Sequence, residues 1–84
     1  MVITGMRRYP HGSNIELTCT SEGGPQLEYS WIFSNNMVDS DAMLNINNAN
    51  VSNGGDYTCN VTNAAGYDSN TTTVYSEFIK TVVK

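Results

Sequence analysis

Two cysteines, one histidine and three Asn-X-Ser/Thr triplets are the residues of this 84-residue chain whose types invite chemistry. Cys19 and Cys59 stand forty positions apart, and His11 is remote from the second of them. Structural zinc takes four Cys or His ligands at close spacing, so no metal site is expected from this set. Asp39 and Asp41 are the closest acidic pair. Calcium asks for six or more oxygen ligands, so that pair would grip an ion weakly at best. A nucleophile needs an adjacent base, and one histidine with no spare cysteine supplies none. No glycine loop follows a strand and opens a helix, so a phosphate cradle is not expected either. The chain therefore reads as a non-enzyme with no cofactor.

The triplets Asn50-Val51-Ser52, Asn60-Val61-Thr62 and Asn70-Thr71-Thr72 each match the N-glycosylation pattern. Eleven Asn and a fifth of residues Ser or Thr would yield about two such triplets by chance. Their placement therefore matters more than their number. All three are expected to be exposed, with Asn50 before a corner, Asn60 on a strand and Asn70 at or near the start of the last strand.

The elements that would position these residues are short strands. Asn14–Thr20 alternates, with Ile15, Leu17 and Cys19 on one face and Glu16 and Thr18 on the other. Gly-Gly-Pro at 23–25 breaks it. In 27–33, Leu27, Tyr29, Trp31 and Phe33 share a side, and Ser34-Asn35-Asn36 follows as a turn. Leu44 and Ile46 share a face, as do Tyr57, Cys59 and Val61, while 71–75 is β-rich. Helix is expected only as one turn near Asn50–Gly54. Several short strands separated by turns point to an all-β sandwich or barrel. The expected core is Ile15, Leu17, Cys19, Tyr29, Trp31, Phe33, Leu44, Ile46, Tyr57, Cys59, Val61 and Val74.

Length and charge bound the rest. Residues 1–84 make room for one domain, with no internal repeat or linker. A domain of this size buries roughly 60% of its unfolded surface, and small domains commonly add a disulfide. The formal charge is −4, from eight acidic and four basic residues. That excludes a nucleic-acid backbone as partner, which calls for clustered Lys and Arg; Arg7 and Arg8 read as a solvated strand face. No run approaches the ~20 apolar residues of a bilayer span. The first twelve residues, MVITGMRRYPHG, lack the apolar run of a signal peptide. The chain is accordingly expected to be a piece of a longer protein, with 76–84 either strand or linker to a neighbouring domain.

In order and spacing, these residues resemble the immunoglobulin superfamily. Trp31 follows Cys19 by twelve positions and Tyr57 precedes Cys59 by two. Gly12 fits the bend before the first cysteine strand, Leu44 and Ile46 an inner core pair, and Asn63-Ala64-Ala65-Gly66 the last turn. The resemblance covers 12–75 and implies an all-β, immunoglobulin-like, two-sheet antiparallel β-sandwich with Greek-key topology. It implies a Cys19–Cys59 disulfide packed against Trp31, with Tyr57 as the corner tyrosine bonded to nearby backbone. Two reduced thiols, as in cytosolic members of the family, are the alternative. Thirteen positions between Trp31 and Leu44 leave no room for the extra edge strands of variable domains. An I-set or constant-like adhesion type is implied. Asn53 stands where many members carry an Asp, so local bonds from Asn53 and Gly54 are expected to hold that corner.

The function implied is recognition by protein–protein contact, as an extracellular or cell-surface module of an adhesion or receptor protein. Ile32, Thr58, Thr73 and Tyr75 are the binding-face candidates, sharing an outer sheet face with Asn60. A glycan on Asn60 would move pairing to a loop end, to the other sheet, or to the rim near Ile32 and Tyr75. Met37, Val38 and Tyr67 are loop-end candidates. The rival readings are a cytosolic structural domain of a muscle-type scaffold and a passive spacer.

Overall fold

The computed structural model describes residues 1–22 and 26–77. The Gly-Gly-Pro break and most of the last segment, 78–84, lie outside the described residues. In chain order the strands are β1 (Val2–Thr4), β2 (Arg8–Pro10), β3 (Ile15–Thr20), β4 (Glu28–Phe33), β5 (Asn36–Asp39), β6 (Met43–Ile46), β7 (Gly55–Asn63) and β8 (Gly66–Glu77). A single 3-10 turn, Val51–Asn53, precedes β7. It falls inside the predicted helical turn.

Two sheets form, ordered β1-β3-β6 and β2-β8-β7-β4-β5. The chain crosses between them after β3, returns after β5 and crosses again after β6, which is the Greek-key arrangement of a sandwich. Alternation explains why the inner faces meet. On β3 the burial runs buried–exposed from Ile15, and on β7 it places Tyr57, Cys59 and Val61 inside. Trp31, Leu44 and Val74 join them from β4, β6 and β8, while Tyr29, Phe33 and Ile46 pack half-buried at the margin of the core.

Three features depart from the expectations. First, the larger sheet is mixed, because β2 runs parallel to the end of β8 (Arg8 beside Tyr75, Pro10 beside Glu77). Second, one extra edge strand does fit between Trp31 and Leu44. Ser34 and Asn35 both take positive φ, 54° and 65°, which turns the chain back in two residues in the twist that hairpins favour. β5 then pairs with β4, with Met37 opposite Ile32. Third, Tyr9 and Ala49 are buried core residues absent from the predicted set. The Tyr9 hydroxyl donates to the Glu16 carbonyl and accepts from the Met6 amide, each at 3.0 Å.

Candidate functional site

The outer face of the five-stranded sheet is built by strand parity. Since Trp31 and Cys59 face inward as a register pair, Ile32 and Thr58 face out as the next one. The same rung continues to Met37 on β5 and Thr71 on β8. The rung is apolar at the β5 end and hydroxylic at the β8 end. Thr58 and Thr71 hydroxyls bond across the strands at 2.8 Å. On the neighbouring rung Thr73 donates to Asp56 Oδ1 at 2.7 Å. At the β2 end the Arg8 guanidinium lies 5.2 Å from the centre of the Tyr75 ring, within cation–π range.

All four binding-face candidates thus share one face. Ile32 and Thr58 are half-buried, and Thr73 and Tyr75 are exposed. Met37 belongs to the same rung rather than to a loop end, and it is 66% exposed. Val38 lies on β5 too, at the bulge opposite Trp31 and Ile32. Parity counted along β8 from Val74 would have added Thr71, which the sequence reading left out. Tyr67 stands at the far end of this face, opposite Thr62 and 79% exposed. Arg8 is exposed on β2, the solvated strand face expected of it, and its guanidinium also lies over the Tyr75 ring.

The three triplets differ in setting. Asn50 is exposed and caps the 3-10 turn. Its Oδ1 accepts from the Ser52 amide at 2.9 Å and from the Ser52 hydroxyl, while Asn53 Oδ1 accepts from the Asn50 amide. Asn60 is half-buried, a correction to the expected exposure, because strands on both sides flank it with Ser30 and Ser69. Asn70 is exposed, as expected, and lies in the first half of β8, in register with Cys59.

Behind the face, Cys19 and Cys59 form a disulfide across the two sheets. Trp31 is fully buried beside Cys59 and donates from Nε1 to the Ala42 carbonyl at 3.2 Å. The Tyr57 hydroxyl donates to the Asn53 carbonyl at 2.5 Å. Burial pushes the Tyr57 phenol above its usual pKa. Gly54 donates to the Val51 carbonyl, so the corner is held by local bonds as expected.

A family model described as immunoglobulin domain matches residues 2–63. The chain belongs to the immunoglobulin domain family. A solved structure entitled "Structure of amphioxus IgVJ-C2 molecule" superposes on this immunoglobulin domain with a TM-score of 0.80 at 24% identity. That match covers 88% of this chain and 42% of the amphioxus molecule, and it bears on the fold alone. Within the immunoglobulin domain, Cys19, Trp31, Leu44, Tyr57 and Cys59 occupy the core positions that the resemblance implied. Domains of this family generally bind proteins and generally do not catalyse reactions. Among the described residues no helix is long and apolar enough to cross a membrane.

Proposed function

We propose that residues 1–84 form one extracellular recognition domain of an adhesion or receptor protein, and that it holds another protein against the outer face of the five-stranded sheet. The observation that carries this reading is the rung Met37–Ile32–Thr58–Thr71. It offers an apolar end set in a field of hydroxyls, the pattern of an anchor in a polar rim. A disulfide between the sheets supports an oxidising compartment, since such bonds rarely persist in the cytosol. The domain works by complementarity from a rigid sandwich, with further domains beside it in a longer chain and no nucleic acid as partner. Contact centred on Ile32 and Met37 lies to one side of Asn60, so it tolerates a glycan there.

The test is a tetramerised, fluorescently labelled domain, secreted from eukaryotic cells and scored for binding to cell surfaces and to its own immobilised form. Ile32→Glu is expected to lower the signal at least tenfold. Asn45→Glu, on the exposed side of the opposite sheet, is expected to leave it unchanged. Equal signals from both variants would sink the face. Intact mass after thiol labelling accompanies it, and two labelled cysteines would favour the cytosolic scaffold reading.

A further inference from the structure

β8 is the longest described strand, and among the described residues only its last three are paired with a strand on the side away from β7. β2 pairs with 75–77, and β1 comes close to β8 but forms its ladder with β3. Residues 66–74 therefore present an open edge among the described residues, about 30 Å of extended chain at ~3.3 Å per residue. The amides of Ser69, Thr71 and Tyr75 point to that side. Tyr75 donates to the Arg7 carbonyl at 2.7 Å, whereas Ser69 and Thr71 donate to the Oδ1 atoms of Asp68 and Asn70, each at 2.9 Å.

An open edge of this composition is a template for another strand. The run Ser69–Tyr75 (SNTTTVY) has β-branched residues at four positions and no charge, proline or glycine, which is the signature of self-pairing segments. Two copies could pair their β8 edges antiparallel about a twofold axis, the simplest closed assembly. Exposed edges of natural sheets are usually blunted by lysine, proline or a cover. Among the described residues, 66–74 carry no lysine or proline and are capped by the side chains of Asp68 and Asn70, and Asn70 opens the triplet Asn70-Thr71-Thr72.

We propose that Asn70 carries an N-linked glycan that covers the open edge of β8 and keeps two copies of this chain from pairing strand to strand. The inference rests on the extracellular reading, because the modification belongs to the secretory pathway. The Asn70 cap uses Oδ1, and Nδ2 is the other end of the same exposed amide. In the transfer, Nδ2 bonds to the anomeric carbon of a polyprenyl diphosphate-linked oligosaccharide. The carbon–oxygen bond to the diphosphate breaks, the lipid diphosphate leaves with the bonding pair, and one amide proton passes to the transferase and then to water. Nothing is oxidised or reduced. A glycan there leaves Oδ1 free to keep the Thr71 amide bonded.

The domain is secreted from eukaryotic cells behind an added leader, as wild type and as Thr72→Val, which removes the triplet and keeps both the Asn70 cap and a β-branched residue. Glycopeptide mass reads occupancy at Asn70, and sedimentation velocity at about 100 μM reads assembly. The expected result is an occupied Asn70, a monomeric wild type and a Thr72→Val form whose mass doubles. Thr73→Pro added to Thr72→Val is expected to restore the monomer, since proline fits an edge whose N–H faces solvent. Thr62→Ala, which removes the Asn60 triplet, should stay monomeric. Wild type made in an oxidising bacterial periplasm, without glycans, covers the case in which Thr72→Val does not fold, and it should dimerise. A bare Asn70 in the secreted wild type, or unglycosylated chains that remain monomers, overturns the inference. Neither result touches the Ile32→Glu comparison, so the two readings fail separately.

Discussion

At the scale of single residues, Tyr57 concentrates the most physics. Its ring is fully buried and stacks on Phe33 with centroids 4.4 Å apart, and its hydroxyl holds the corner through the Asn53 carbonyl. Burial disfavours the phenolate, which raises the pKa above that of the unfolded chain. The stability tied to that shift is complete below the unfolded value near pH 10 and is lost as pH climbs through the higher folded value. Tyr57→Phe keeps the ring and deletes both the bond and the titration. It should cost about 1 kcal/mol at neutral pH, the ordinary net worth of such a bond. It should also flatten the loss of stability above about pH 10. Urea midpoints measured from pH 7 to 11 check both; a variant that loses stability as steeply as wild type would contradict the assignment. Tyr57 was legible because it sits two residues before Cys59 on a strand with clean alternation. Tyr9 does the same kind of work, with its hydroxyl bonded at both ends. It was not legible, since Arg7-Arg8-Tyr9-Pro10 has one inward residue and no period from which to infer a face.

Among elements, the strands that bury one face were readable and the edge was not. β3 and β7 announce themselves by period two because every second residue must leave water. β5 has three exposed residues and a half-buried Asp39, so no burial pattern marks it. It exists because the Ser34-Asn35 turn has the right hand and because β4 offers backbone groups to pair. The outer face was half legible for the same reason. Parity along β4 and β7 gave Ile32 and Thr58, while Met37 joined them only once β5 was known to pair. Gly55 shows how closely the sheet margin is set. Its φ is +148°, and an added Cβ would stand 2.8 Å from Phe33 Cε1, against the ring that stacks on Tyr57. Gly12 also has positive φ, +90°, but nothing lies within 4 Å of its missing Cβ. Backbone strain of this kind costs about 1–3 kcal/mol. Gly12→Ala should therefore lose about 1 kcal/mol and Gly55→Ala at least about 2, by guanidinium denaturation at unchanged slope. A Gly55→Ala domain no less stable than Gly12→Ala would mean that Phe33 moves aside without cost.

For the whole molecule, the question is what keeps two thin sheets together. Several links converge near one point. The disulfide joins β3 to β7. The Ala42 carbonyl, just before β6, accepts both the Cys19 amide at 2.9 Å and the Trp31 indole at 3.2 Å, tying the smaller sheet to β4 of the larger. The bonds to Ala42 persist when the disulfide is reduced, whereas the constraint on the unfolded chain does not. Closing a loop of forty residues removes unfolded-state entropy worth about 4 kcal/mol at 25 °C in the chain-entropy model. In a domain of this size 1 kcal/mol moves Tm by roughly 4–8 °C. Reduction should therefore lower Tm by roughly 16–32 °C while leaving the β-sheet circular dichroism little changed at low temperature. Thermal scans with and without a thiol reductant, followed by thiol counting, read the two together. A loss of only a few degrees would mean that packing around Trp31 and the Ala42 carbonyl carries the sandwich unaided, and the domain would then hold its fold in a reducing compartment as well. A loss of the expected size would mean that the constraint on the unfolded chain, rather than the bonds to Ala42, carries most of the stability of the sandwich.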